Sequence, residues 1–502
     1  MLALVAALAA LQAALLLAWY WPGALPDTNT SGVWIALADD VAHGDFYRPL
    51  VSELGTGGTR YMPLFFVLHG ALIKLGCAPL AAGVVLTLAS ALAAIIAVRA
   101  LLRRLGATCG VACGAAVAML GTVTFQMLLL TVRGDFLAAA LNLAGVAAAL
   151  DWKRSGTCGR MWLAAIFFAA AFLTKVTTVF GLAAVALWLA SRREWRRAGA
   201  LAGASALLMI AGVAAALWAS DGRMWESFSA VASGDTNFPF VLSGPRRFWD
   251  ECAGDPLLCV LLGAAVVAGS ALRRSEEKKL IAWLGAATLL VTMVIFASPG
   301  TGKNHLLDLQ ALAVVVLALA LAENESPARR AWSLLAFGAL GIGMCVTWLP
   351  GVPSVRAFFE RYHRPEIAGV DEFAARAGAG AQRMLAENPL VPILAGERPF
   401  VADLFNLELR MRRDAKLRRD MLERLRRGEF GAVVLSNWPD IFPRDVASPD
   451  DPLIAERWPA LRRRGRVTAD FYAALETRYR IVLVRRPYIY LLRDDRAFAP
   501  AR

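Results

Sequence analysis

Ten near-continuous apolar stretches decide what this chain can fold into: residues 2–20, 78–102, 107–131, 136–151, 161–191, 198–219, 256–272, 280–297, 305–322 and 331–349. A helix needs about 20 apolar residues to cross a hydrocarbon layer of ~30 Å. Only a helix can cross singly, because in lipid each backbone polar group must be satisfied within the segment. The stretches therefore predict an α-helical polytopic membrane protein with roughly 11 to 13 transmembrane helices. Composition agrees: 58% of the 502 residues are hydrophobic and 19% charged, against roughly 45–50% and a quarter in soluble domains. That balance excludes a disordered chain, and seven Cys in 502 residues exclude a disulfide scaffold.

The text changes near Val355, after the Pro350 and Pro353 punctuation, and stays polar and Arg-rich to the end. Two domains are expected, a membrane domain over 1–352 and a small soluble α/β domain over 353–502. In the second, 390–394, 400–403 and 430–435 read as short strands, 481–484 with 488–492 as a strand pair, and 469–479 as a helix. Residues 414–427 place Leu417, Met421, Leu422 and Leu425 on one helical face. From residue 355 onward the chain holds 28 basic and 21 acidic residues, about half of the net +13.

Charge assigns the loops to sides. Basic clusters stand at Arg99/Arg103/Arg104, Lys153/Arg154/Arg160, Arg192/Arg193/Arg196/Arg197, Arg273/Arg274/Lys278/Lys279 and Arg329/Arg330. The positive-inside rule places all five in the cytoplasm. The alternate connections then face outward: loop 21–62, the turns at 133–135 and 174–177, loops 220–255 and 298–304, and the tail after Leu349. Residues 63–76 read as a half-span or interfacial helix, and 161–191 is short for two crossings. Such broken helices are tolerated where they line a protein cavity. The first stretch lacks a basic leader and a small-x-small cleavage site, so it reads as an uncleaved span.

Charged residues within or beside spans are costly, at ~2.5 kcal/mol or more near mid-bilayer, and mark function by default. Those on the outward side are Asp27, Asp39, Asp40, Arg60, Arg133, Asp135, Lys175, Lys303, His305 and Asp308. They converge on one face, as a transferase or transporter vestibule requires. The plainer reading is that Arg133, Asp135 and Lys175 end helices and pair with one another.

Short texts around these residues carry more than composition. Loop 21–62 supplies Asp27, Trp34, Ala38, Gly44, Tyr47 and Pro49, followed by Tyr61-Met62-Pro63-Leu64. Later come Arg133-Gly134-Asp135, Leu173–Thr177, and Asn304-His305-Leu306-Leu307-Asp308. In order and side these resemble the GT-C-type integral membrane glycosyltransferases, the superfamily of protein O-mannosyltransferases and aminoarabinose lipid A transferases. The matching family texts are an acidic first outer loop, an R-P-D turn, an L-T-K-x-T turn and an N-Y-L-L-E helix start. Two departures stand out: Gly134 replaces the usual Pro, and Asp27 lies seven positions before Trp34 rather than three or four. The base role thus falls to Asp27, or to Asp40 or Asp39, while Asp45 reads as structural.

The resemblance implies a reaction. An outer-loop carboxylate acts as general base on an acceptor hydroxyl or amine. The acceptor attacks the anomeric carbon of a sugar on a polyprenyl phosphate, with inversion. Cations must then neutralise the leaving phosphate, and Arg60, Arg133, Lys175, Lys303 and His305 are the candidates, Arg for bidentate contact and Lys as a point charge. Tyr61, Asn304, Asp135 and Asp308 complete the expected binding set, the two acids orienting the cations. The implied partners are a polyprenyl-phosphate-sugar donor, membrane lipids and an extracytoplasmic acceptor, in a bacterial inner or plasma membrane. No cofactor is expected, and no metal is indicated.

Other motifs fail. Gly300-Thr301-Gly302-Lys303 imitates a phosphate-binding loop, but Ala297 replaces its first Gly and Asn304 its Ser/Thr. The four His and seven Cys show no metal-ligand spacing. His69 reads as a helix–helix hydrogen bond, and Cys252 with Cys259 as a possible disulfide. The Arg runs at 410–427 and 462–466 suit a solvated face or anionic head groups rather than nucleic acid. A multi-pass transporter or flippase is the competing reading, but it predicts matching repeat halves, and none is visible.

Overall fold

The computed structural model describes residues 1–20, 29–53, 55–231, 238–269, 276–298, 301–323, 327–346, 369–377, 383–437, 441–465 and 467–494. Asp27 and the expected domain boundary near 351–360 lie outside the described residues. The apolar text becomes helices α1 (Leu2–Tyr20), α2 (Asn29–Ala42), α3 (Leu64–Lys74), α4 (Pro79–Arg104), α5 (Cys109–Ala118) and α6 (Val123–Leu129). There follow α7 (Asp135–Ser155), α8 (Cys158–Thr174), α9 (Phe180–Ser191), α10 (Trp195–Ala219), α11 (Arg223–Val231) and α12 (Phe238–Ala253). The membrane part closes with α13 (Pro256–Gly269), α14 (Lys279–Phe296), α15 (Leu307–Ala322) and α16 (Pro327–Val346).

By length and composition, α4, α7, α10, α14 and α15 with the turn before it can each cross a membrane. Two bent pairs pass the same test, Cys109–Gly121 with α6 at 72° and α12 with α13 at 109°. The stretch 107–131, read as one crossing, is thus broken: Thr122 takes an extended backbone, φ −79°, ψ 142°. Residues 63–76 yield the separate 11-residue α3, and 161–191 divides at Lys175 into α8 and α9. His69 bonds across helices as expected, its Nε2 lying 2.7 Å from the Pro79 carbonyl at the start of α4.

Small residues let the central helices approach. A Cβ on Gly145 of α7 would stand 2.7 Å from the Phe168 ring of α8, and one on Gly181 of α9 would stand 2.0 Å from Asn142 Oδ1 of α7. This close packing is the usual means of associating helices in lipid, where neighbouring tails are as apolar as leucine. Among the described residues, the basic clusters gather at one end of the bundle, and several of their members are tied to acids there. Arg104 pairs with Asp151 at 2.7 Å, Arg154 with Glu277 and Arg192 with Glu276 at 2.5 Å each. Lys153 also pairs with Glu194, and Lys278 with Glu323. Arg133, Asp135, Lys175 and Asn304 meet at the other end.

The C-terminal part is an α/β unit with strands β1 (Met384–Ala386), β2 (Ala432–Ser436), β3 (Tyr479–Arg485) and β4 (Tyr488–Arg493) in the order β1-β2-β4-β3. β1 runs parallel to β2, and the other pairs are antiparallel, with Val433 opposite Leu491 and Leu491 opposite Ile481. Period-two alternation divides the side chains between two apolar layers. Val433, Leu435, Ile489 and Leu491 face helices 404–413, 415–426 and 469–476, while Ala432, Val434, Tyr488 and Tyr490 cover Phe373. Two expected strands are corrected. Leu390–Leu394 is helical, and residues 400–403 add only the bridge between Val401 and Thr56 before Asp403 caps the next helix.

This unit is bolted to loop 43–63. Arg398 donates to Asp40 at 2.9 Å and to Asp45 at 2.6 Å. Arg48 pairs with Asp40 and donates to the Pro399 carbonyl at 2.5 Å. The Thr56 amide donates to the Phe400 carbonyl at 2.7 Å, and the Ala402 amide returns to the Thr56 carbonyl at 3.2 Å. A Cβ on Gly55, whose φ is +134°, would fall 2.0 Å from the Phe400 carbonyl oxygen, so this contact needs glycine.

Candidate active site

Asp135 is the organising residue. It is the first residue of α7 and buried, where the helix N-terminus favours a negative charge. The Lys175 ammonium reaches its Oδ1 at 2.6 Å from the break after α8. The Asn304 amide donates to the same oxygen at 3.0 Å from the turn before α15. Arg133 adds positive potential around the carboxylate, and the His305 ring lies beside it. The Arg133 Nε and the His305 Nδ1 are buried without a hydrogen-bond partner. Asp308 lies one helical turn beyond, within the field of Lys175 and Asp135.

The floor of the site is aromatic. Trp34 of α2 stacks on Tyr61 with centroids 4.3 Å apart and meets Phe65 edge-on at 5.2 Å. A Cβ on Gly134 would meet Thr174, Phe65 and Trp34 at 3.2–3.4 Å, so α2, α3 and α8 wall the Arg133–Asp135 turn. Its φ of −78° is one a proline adopts, so the Gly-for-Pro departure leaves the turn geometry intact. Ser31 of α2 accepts the Val132 amide at 3.1 Å and fastens that turn. Tyr47 holds a left-handed backbone, φ 54°, and its hydroxyl donates to the Tyr61 carbonyl at 2.8 Å. Burial, with Asp403 acting the same way, pushes the Tyr61 phenol up to about 12.

Arg60, Tyr61, Lys175, Asn304, His305 and Asp308 are each only partly covered. Three cations, an imidazole, a carboxamide and a phenol thus gather around one anchored carboxylate, where partial burial makes each charge act more strongly than in water. Among the described residues no group of three or more His, Cys, Asp or Glu side chains is placed to hold a metal.

Three expected members lie elsewhere. Lys303 turns away, with Nζ 3.5 Å from the Gly254 carbonyl at the α12–α13 bend. Asp40 is buried between Arg48 and Arg398 and serves the docking of the C-terminal unit. Asp39 lies beside it on α2, with His43 Nδ1 at 3.5 Å from its carboxylate. Burial raises its carboxyl above the ordinary range, with His43 opposing. Cys252 and Cys259 are both free thiols, the latter donating to the Cys252 carbonyl at 3.1 Å.

Residues 59–299, which hold Arg60, Tyr61, Arg133, Asp135 and Lys175, match the model of glycosyltransferase family 87. The chain superposes on ArnT from Cupriavidus metallidurans bound to undecaprenyl phosphate with a TM-score of 0.58 at 14% identity, covering 98% of this chain and 99% of that one. Its fold is that of the GT-C-type membrane glycosyltransferases. The apo state of the same ArnT gives 0.55 at 14% identity, with 96% and 97% covered. The apo oligosaccharyltransferase of Archaeoglobus fulgidus gives 0.53 at 13% identity, covering 86% of this chain and 69% of that one. No curated protein matches this sequence. Family match and GT-C fold together support a membrane glycosyltransferase.

Sequence reasoning missed one acidic neighbour of the site. Asp403 caps helix 404–413, accepting from the Asn406 amide at 3.2 Å and from its side-chain nitrogen at 2.7 Å. Its charge also acts on Arg60 and Tyr61. The cue was an Asp followed three residues later by Asn in Asp-Leu-Phe-Asn, obscured because residues 400–403 read as a strand. Burial pushes the Asp403 carboxyl up to about 6, against the Asn406 amide and Arg60. A raised carboxyl value means that folding favours the protonated form. Its stabilising contribution is complete below the ordinary value of ~4 and lost as pH rises through about 6. Asp403→Asn keeps the cap and removes that loss. The variant is expected to melt a few degrees higher than wild type at pH 7.5, with the gap closing below pH 4, as read by thermal unfolding in detergent.

Proposed function

We propose that this GT-C protein moves a sugar from a polyprenyl-phosphate carrier to an acceptor outside the cytoplasm, with inversion at the anomeric carbon. The observation that carries the reading is the meeting of Lys175, Asn304, Arg133 and His305 around Asp135, with Arg60 acting on the His305 ring from the adjoining loop. Arg133 and Lys175 would hold the carrier phosphate, and Asp135 with Asn304 would aim Lys175. The acceptor hydroxyl or amine gives its proton to a carboxylate, and its electron pair forms the new bond to the anomeric carbon. The carbon–oxygen bond to phosphate breaks, and its pair leaves on the lipid phosphate that the cations stabilise. Asp27 is our proposed base, because Asp39 and Asp40 lie on the docking face. ArnT, which shares this fold, binds undecaprenyl phosphate. We place the protein in a bacterial plasma membrane, with residues 353–502 on the outer side.

The test takes purified full-length protein in lipid nanodiscs. Undecaprenyl phosphate is expected to bind. Transfer of label from undecaprenyl-phosphate-linked pentoses and hexoses into cell-envelope glycan and lipid fractions is expected in wild type and lost in Asp27→Asn. Failure to bind any C50 or C55 polyprenyl phosphate would reject the reading. A reporter fused at residue 400 that titrates as cytoplasmic would reject the orientation.

A further inference from the structure

The segment that delivers Arg60 has its backbone held by helix 404–413 of the C-terminal unit. Arg410 donates through Nη1 to the Leu50 carbonyl at 2.9 Å and to the Gly57 carbonyl at 3.1 Å. The Asn406 side chain donates to the Gly58 carbonyl at 3.2 Å. Gly57 and Gly58 cannot be replaced easily: a Cβ on Gly57 would stand 2.4 Å from the Arg48 carbonyl oxygen, and Gly58 has φ +106°. Two residues further on, the Arg60 guanidinium carbon lies 5.7 Å from the centre of the Phe405 ring, the second residue of that helix. Asp403 lies on the same helical turn and acts electrostatically on Arg60. Among the described residues, Arg60 has no other ring or ion-pair contact.

We infer that the phosphate site is bipartite: helix 404–413, through the ring of Phe405 and the Arg410 bonds to Gly57, positions Arg60 to bind the carrier phosphate. A guanidinium on a flexible stem loses much rotamer freedom when it binds. A ring beneath it and a fixed backbone behind it reduce that loss in advance. Phe405 and Arg410 are positioning residues, since they act on the phosphate only through Arg60. The docked C-terminal unit is therefore part of the lipid-phosphate site rather than a lid beside it. This inference rests on the function proposed above.

The experiment measures undecaprenyl phosphate affinity of the full chain in nanodiscs. Phe405 is 41% exposed, so Phe405→Ala should leave the fold intact. It is expected to weaken binding by about fivefold, whereas Phe405→Trp, which retains the ring, stays within twofold of wild type. Arg60→Ala is expected to weaken binding by about tenfold, and Phe405→Ala should add nothing further in that background. Arg410→Gln should reproduce the Phe405→Ala loss without lowering the melting temperature of the bundle. Wild-type affinity in Phe405→Ala, or independent addition of the Phe405 and Arg60 effects, would overturn the inference while leaving the function standing. Absence of binding by wild type would instead remove the function on which it rests.

Discussion

Arg133→Gln is expected to lower sugar transfer by roughly 10²- to 10³-fold, the loss seen when one preorganised donor to a developing anion is removed. Its melting temperature should match wild type. Both expectations follow from where Arg133 sits. It precedes the N-terminus of α7, beside Asp135 and His305, and its Nε is buried without a partner. Among the described residues it forms no ion pair, so its removal strands no buried charge. Lys175 is a less clean probe, because its loss leaves Asp135 buried with only the Asn304 amide on Oδ1. Arg133→Lys should restore part of the rate, since a point charge replaces a bidentate fork. Single-turnover transfer from a polyprenyl-phosphate sugar checks the chemistry, and detergent melting checks the fold. A variant that transfers at the wild-type rate would remove Arg133 from the site.

Asp40→Ala is expected to cost about 3–5 kcal/mol, the penalty for leaving a buried cation without its partner. Arg48 is 4% exposed, and in this variant it would retain only the Pro399 carbonyl. Arg398 would keep Asp45 alone. Loop 43–63 and residues 398–402 should separate together, so limited proteolysis is expected to release a C-terminal fragment that the wild type protects. Asp40→Asn should be milder, because it keeps the shape and one acceptor. The measurement also tests the sequence-based alternative that Asp40 is the base. A stable, docked Asp40→Ala protein without transfer activity would restore the catalytic role. A protein that comes undocked, with lipid-phosphate affinity lost alongside, would establish the latch.

Most of the site was legible before any fold was known, because lipid leaves few places for charge. Arg133, Asp135, Lys175, Asn304, His305 and Asp308 interrupt apolar helices, and helix alternation placed all of them on one side. Their meeting around Asp135 is the three-dimensional form of that sorting. Lys303 has the same side and the same text, yet it turns to Gly254. Side assignment fixes the height of a residue in the bundle but not the direction of its side chain. Residues 107–131 show the same limit for elements, since hydropathy sees one apolar run and is blind to the extended backbone at Thr122.

By itself the sequence determined the membrane class, the two charge-sorted ends of the bundle, the small α/β unit and most of the polar residues that gather around Asp135. The reason is that burial of backbone and charge in lipid is so costly that local text alone reports it. Only the tertiary structure showed that Asp40 is clasped by Arg48 and Arg398, that Phe405 and Asp403 stand beside Arg60, and that Arg410 holds the Gly57 carbonyl behind it. Apart from the Arg48 pair, those contacts join residues more than 340 positions apart, through polar loops that bear no periodicity. Their partners are chosen by which surfaces the packed bundle brings together, and no local property of either loop encodes that choice.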